Sequence, residues 1–232
     1  MRGKILGVLL AGFIVMFAVQ VQASYVTEVE PNDTLAGAWD INEFFSNYDP
    51  SDTDIENSAI WDWVSISGTG NNTYDYYSFY AAAGKSGIFD IDYGRTATDT
   101  FNSEIALWWW NPTAGIFDIV WQSSDSNPIT DGGTGSDLAY GWLDSYESYV
   151  FGQEDNNTGI GQYVIGVARY DANQTPGGWT GTTVFPGDAY ELQITIQDHP
   201  EEPGPAVPVP AAALLLGSGL MGLVGLRRKI KN

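Results

Sequence analysis

The 232-residue sequence contains no cysteine and a single histidine. The first absence removes disulfide frameworks, thiolate metal clusters, cysteine nucleophiles and dithiol redox motifs. The second leaves a Ser-His-Asp triad dependent on His199, which stands beside Pro200 in an acidic, proline-rich stretch and reads as a solvated linker residue. Positive charge is scarce too, with nine Lys and Arg against 29 Asp and Glu. Six of the nine (Arg2, Lys4, Arg227, Arg228, Lys229 and Lys231) sit at the two ends, so Lys85, Arg95 and Arg169 face all the acids alone. A surface that acidic repels phosphate backbones, which argues against nucleic acid as a partner, and it concentrates cations. No run shows helical periodicity over ten or more residues, and no tandem repeat is evident, which argues against a solenoid or propeller. Aromatic residues, by contrast, are plentiful at 14%, nine of them Trp, enough for a substantial core.

The roughly 175 residues from Ser24 to Asp198 suit one domain. Short β-rich runs recur at Ile60 to Ser67, Tyr74 to Ala82, Gly87 to Tyr93, Glu104 to Trp110, Ile116 to Gln122, Tyr146 to Phe151, Gln162 to Tyr170 and Ala189 to Gln197. Clusters of Gly, Asn, Asp, Ser and Pro separate them, which predicts an all-β fold built as a single sandwich. In the last run, Tyr190, Leu192, Ile194 and Ile196 alternate with Glu191, Gln193, Thr195 and Gln197, predicting a half-buried strand.

Both ends read as addresses. Residues 1–23 form a secretory signal peptide: Arg2 and Lys4, the apolar Ile5 to Val19, then the small-residue site Val21-Gln22-Ala23. An uncleaved signal anchor is the competing reading. After an acidic, Pro-rich linker at 199–206 comes an apolar segment at 211–226 and the basic cluster Arg227 to Lys231. As a helix that segment would rise about 24 Å against a hydrocarbon core of roughly 30 Å, a weak permanent anchor whose basic end would stay cytoplasmic.

Val207-Pro208-Val209-Pro210-Ala211, the small-residue-rich run Leu214 to Leu226 and Arg227-Arg228-Lys229 together resemble a PEP-CTERM sorting signal of Gram-negative bacteria. Val209 stands where the namesake motif has Glu, as in the Val-Pro-x-Pro-Ala variants. The resemblance implies an exosortase-type processing enzyme as partner, transient inner-membrane insertion through 211–226, and delivery to the outer envelope, cell surface or extracellular polysaccharide matrix. Retention as an ordinary single-span anchor is the alternative.

A second resemblance covers most of the remaining chain. Glu28-Val29-Glu30-Pro31-Asn32-Asp33-Thr34, Tyr74 to Phe79 with Ala83-Gly84, Glu104 to Leu107, Gly161 to Val167 and Asp188 to Ile194 look like a bacterial pre-peptidase C-terminal domain. This family implies a jelly-roll-like sandwich, and some of its members hold calcium where the N-terminal segment meets the first strands. Glu28, Glu30, Asn32 and Asp33 offer four oxygen-bearing side chains within six residues, and calcium needs six to eight oxygens. The family pattern supplies the others from Ser67, Asn72 and Asp75, with Asn72 replacing an Asp of calcium-binding members. A merely solvated acidic arm is the alternative to a calcium site. Gly132 to Ala139 fits a glycine-rich calcium nonapeptide up to Ala139, where a large apolar residue is expected, but such turns share ions between stacked copies, so one copy predicts a loop.

Strand alternation in Glu104 to Trp110 sends Ile105, Leu107 and Trp109 to one face and Ala106, Trp108 and Trp110 to the other. If the aliphatic face is the core, Trp108 and Trp110 lie outside, where they could stack on sugar rings unless a loop or strand covers them. No spacing of carboxylates singles out a glycosidase pair. The sequence thus predicts a non-catalytic exported envelope or matrix protein, with a carbohydrate-binding module as the alternative and a secreted hydrolase as a weaker one.

Overall fold

The computed structural model describes residues 25–47, 55–92, 101–124, 145–154 and 159–200. The expected signal peptide, residues 201–206 of the expected linker, the expected sorting tail and the Gly132 to Ala139 string lie outside the described residues. Among the described residues, no helix is long and apolar enough to cross a membrane.

The described residues form thirteen strands in chain order. Three short ones come first: β1 (Tyr25–Thr27), β2 (Trp39–Asp40) and β3 (Ser46–Asn47). Then come β4 (Asp62–Thr69), β5 (Asp75–Ala82), β6 (Ser86–Asp92), β7 (Ser103–Asn111) and β8 (Ile116–Ser123). The last five are β9 (Tyr146–Val150), β10 (Ile160–Arg169), β11 (Asn173–Thr175), β12 (Gly178–Thr180) and β13 (Ala189–Ile196). All eight runs expected from the sequence are strands. One sheet runs β1-β4-β13-β6-β9, with β3 also on β4; the other runs β2-β5-β10-β7-β8, and β11 and β12 form a hairpin. The two sheets pack as a sandwich.

Period-two patterning decides which side chains meet between the sheets. Tyr77 and Phe79 from β5, Ile105, Leu107 and Trp109 from β7, and Tyr163 and Ile165 from β10 face Phe89 and Ile91 of β6 and Leu192, Ile194 and Ile196 of β13. Each such side chain contributes about 1.5–3 kcal/mol on burial. The alternation read in β7 is therefore correct: Ala106 and Trp108 face the other way.

That outward face is not open along its whole length. A second apolar cluster forms where the β11–β12 hairpin and the 3-10 turn Leu35–Gly37 close over Tyr76, Ala106, Trp108, Val164 and Ala168. Trp108 is fully buried, edge-on to Trp179 at 5.4 Å, and its Nε1 donates to Thr175 O at 2.8 Å. Gly166 makes the closure possible, because a Cβ there would lie 2.7 Å from Trp179 Nε1 and 2.9 Å from Trp108 Cζ3. Trp108 is thus a core residue and cannot stack on a sugar.

Two further expectations are corrected. β13 is buried on both faces, Gln193 and Thr195 included, because it lies mid-sheet between β4 and β6 and its outer face is covered. Residues 55–61 supply cover there: Ile55 and Ser58 are buried, and Tyr146 OH on β9 donates to Glu56 at 2.9 Å. His199 is not a solvated linker residue. Its ring stacks on Phe45 at 3.9 Å and 12°, its N–H donates to Asp62 Oδ2 at 2.8 Å, and burial lowers its pKa to about 4, so it packs as a neutral ring.

Candidate metal centre

The first described residues build a strap across one end of the sandwich. β1 runs parallel to β4, pairing Tyr25 with Ser65 and Thr27 with Ser67, and Glu28 N–H donates to Ser67 O at 3.0 Å. The chain then crosses to the other sheet through the cis Glu30-Pro31 bond, and Asn32 O accepts from Tyr76 N–H at 3.1 Å. β2, parallel to β5, completes the crossing. Glu28 and Glu30 are therefore carried between two sheets, directly over Asp75 at the first position of β5.

The carboxylates of Glu28, Glu30 and Asp75 converge, each offering an oxygen within 4.8 Å of the others. Among the described residues no Lys or Arg is paired with any of them. Asp75 is fully buried; its Oδ2 accepts from Tyr190 OH at 2.6 Å while its Oδ1 has no hydrogen-bond partner. Beside it Asn32 is also fully buried, and both polar atoms of its amide lack a partner. Buried polar atoms rarely go unpaired, since each costs about 1–3 kcal/mol. Their presence beside three carboxylates fits a cation. An all-oxygen donor set, without nitrogen or sulfur, suits a hard ion of the calcium type.

Protonation points the same way. Burial, above all, raises the pKa of Asp75 to about 8; the hydrogen bond from Tyr190 opposes this, and repulsion from Glu28, Glu30 and Asp33 adds to it. Burial also raises Glu30, with Glu28 and Asp33 contributing. Tyr77 and Tyr190 are fully buried phenols held well above their ordinary range by burial. Tyr77 OH donates to Glu28 Oε2 at 2.8 Å, and the two phenol oxygens are 2.7 Å apart. The three contacts from Asp75 through Tyr190 and Tyr77 to Glu28 thus share two hydroxyl protons. A third proton on Asp75 fills the chain. With both acids ionised one contact is left empty, and a bound cation offsets that charge instead. Gly68 allows this arrangement, because a Cβ there would meet Tyr190 Cζ at 2.1 Å.

Of the seven side chains expected at a calcium site, the structure brings Glu28, Glu30 and Asp75 together, with Asn32 adjoining. Asp33 lies at the rim, accepting from Thr73 Oγ1 at 2.7 Å. Ser67 exposes its side chain and contributes only its backbone carbonyl to Glu28. Asn72 is exposed, in the left-handed conformation at φ 75°, and holds Val184 O through its N–H at 2.9 Å. The preceding residue takes its place: Asn71 Nδ2 donates to Glu30 Oε1 and reaches Asp33 Oδ1 at 3.4 Å. The left-handed turn swings residue 72 away and residue 71 inward. Sequence reading missed Asn71, Tyr77 and Tyr190; the Asn-Asn pair was the available signal for the first, and nothing local marks the two tyrosines.

Of the two candidate sugar-stacking residues, Trp108 is buried as described, whereas Trp110 is half-buried and packs edge-on against Phe117 at 5.1 Å.

No family model matches the sequence, and no curated protein matches it. Among solved structures, the chain is similar to the crystal structure of PliG from Aeromonas hydrophila, a periplasmic inhibitor of g-type lysozyme. Identity is 13% and the TM-score 0.30, over 76% of this chain and 98% of that one. A likeness of that size carries no functional argument.

Proposed function

We propose that this protein is an exported, non-catalytic β-sandwich of the bacterial envelope or extracellular matrix, its fold locked by one calcium ion. The observation that carries this reading is the buried, unpartnered Asp75 Oδ1 between Glu28 and Glu30, with no cationic side chain among the described residues to neutralise them. Glu28 and Glu30 come from the strap and Asp75 from the five-stranded sheet, so an ion held by all three fastens one sheet to the other. A chain without cysteine has no disulfide to do this. Calcium supplies only charge neutralisation and coordination; Tyr77, Tyr190 and Asn71 hold the carboxylates in place for it. A calcium-rich exterior would favour the folded state by binding it selectively.

Delivery is the second half of the proposal. Its support is the ordered series of Val207-Pro208-Val209-Pro210-Ala211, apolar 211–226 and basic Arg227-Arg228-Lys229, which resembles a sorting signal read by an exosortase-type enzyme. Fractionation of cells expressing the full chain, or the chain lacking 207–232, tests both halves. The full chain should stay with the surface or matrix and become protease-sensitive when calcium is chelated; the truncated chain should be released. A truncated chain held at the surface as firmly as the full one would overturn the sorting proposal, and unchanged protease resistance under chelation would overturn the calcium lock.

A further inference from the structure

Among the described residues, the outward face of the five-stranded sheet is covered at one end only. Beyond the hairpin that buries Trp108, a cleft of about 280 Å³ remains open on the same face. Its floor is the row in which Val164 of β10 sits opposite Ser78 of β5, and Gln162, opposite Tyr80, lines the cleft in the next row. Trp110 and its cross-strand partner Phe117 form one wall, their rings inclined at 62°. Leu35, the first residue of the 3-10 turn, and Ala38, which follows it, form the other.

Polar groups share the cleft with these rings. Ser78 is only 7% exposed, yet its hydroxyl makes no hydrogen bond to any described residue. The Gln162 amide likewise finds no partner among the described residues. A hydroxyl and an amide that open into the cleft beside two aromatic rings, with no protein partner among the described residues, are free to bond a ligand there.

We infer that this cleft binds a neutral sugar residue of a polysaccharide. The apolar face of a pyranose ring can lie on Trp110 with Phe117 bounding its edge. Its hydroxyls can then exchange hydrogen bonds with Ser78 Oγ and with both ends of the Gln162 amide, groups that donate and accept as sugar hydroxyls do. The size agrees: small-molecule clefts run from roughly 300 to 1,000 Å³, and one at the lower limit holds one or two rings of a chain. Charge selects the class of sugar. No charged residue lines the cleft, and the described cations Lys85 and Arg169 are engaged elsewhere, with Asp198 and Asp188. Nothing there would hold a uronate, and the strongly acidic chain repels polyanions at distance. The inference does not depend on the calcium ion, which is held at the strap by other residues.

Affinity electrophoresis of the full-length chain, in native gels containing galactomannan, dextran, hydroxyethylcellulose or alginate, tests it. At least one neutral polymer should retard the wild type, and alginate should not. Trp110→Ala should weaken the retardation roughly tenfold or more, and Gln162→Leu several-fold, as expected for groups central to a small contact. Ile119→Ala, an exposed apolar change on β8 outside the cleft lining, should migrate as wild type. Near-ultraviolet circular dichroism checks that each variant is folded; should Trp110→Ala fail that check, Gln162→Leu, which removes only polar atoms, decides. No retardation by any neutral polymer, retardation by alginate alone, or folded cleft variants retarded as strongly as wild type would overturn the assignment.

Discussion

Two buried carboxylates at neighbouring corners of the sandwich meet opposite fates. Asp188, 8% exposed, is paired with Arg169, and its Oδ2 also accepts from Phe185 N–H at 2.8 Å. The guanidinium lies over the Phe185 ring at 4.7 Å, which holds it in place. Asp75 is more deeply buried and faces two further acids with only a phenol for company. The same turn joins the corners: Gly70 N–H donates to Asp188 O, and Thr73 holds Asp33 at the rim of the acid cluster. A buried charge is tolerated when paired and costly when not. One corner carries its counter-ion in the sequence. The other, if the proposed calcium site holds, takes its counter-ion from solution.

The comparison breaks most severely if the internal counter-ion is removed. Arg169→Met leaves Asp188 buried and unpaired and should cost about 3–5 kcal/mol, ten degrees or so of melting temperature, with calcium unable to restore it. Thermal melts in calcium and in EDTA would check both points.

Of comparable size is the response to pH. In the calcium-free protein the folded pKa of Asp75, about 8, lies above its ordinary value near 3.8. The folded state therefore holds a proton that the unfolded chain has lost between about pH 4 and 8. Stability falls as pH rises through that window, by up to about 1.4 kcal/mol per unit, and levels off above it. Calcium should flatten this slope and bind more tightly as pH rises, because it displaces the proton. Denaturant titrations at pH 5, 6, 7 and 8, with and without calcium, would show it.

Smaller effects sharpen which residues form the acidic corner. Asn71→Ala should weaken calcium binding, measured by calorimetric titration, by a fewfold, as expected for losing one hydrogen bond that orients Glu30. Asn72→Gly should leave it unchanged and shift stability by no more than about 0.5 kcal/mol, since glycine accepts the left-handed conformation at that position.

The strands were legible because their signal is local. Tyr190, Leu192, Ile194 and Ile196 declare a strand face within seven residues, and all eight runs of that kind proved to be strands. β1, β2 and β3 escaped because two or three residues cannot show a period, and β1 and β2 are ordered by parallel neighbours distant in sequence. The β11–β12 hairpin carried a sign in Pro176-Gly177, a turn dipeptide between Thr175 and Gly178. Without it the burial of Trp108 could not be foreseen, since alternation states which face a residue takes and not what covers that face. Three carboxylates of the candidate metal centre were visible as acids. Their convergence was not, because it depends on Tyr77 and Tyr190 meeting across the two sheets through the space Gly68 leaves.

The most direct test is a calcium titration of thermal stability at pH 7.5, comparing wild type with Asp75→Asn. Wild type should be stabilised by about 2.7 kcal/mol at a hundred times the dissociation constant, a shift of several degrees. Asp75→Asn, which need not take up a proton to be buried, should melt at or above the wild-type temperature in EDTA and gain little from calcium. A wild-type melt indifferent to calcium, or an Asp75→Asn variant that gains as much as wild type, would contradict the external counter-ion and leave Asp75 a protonated core residue.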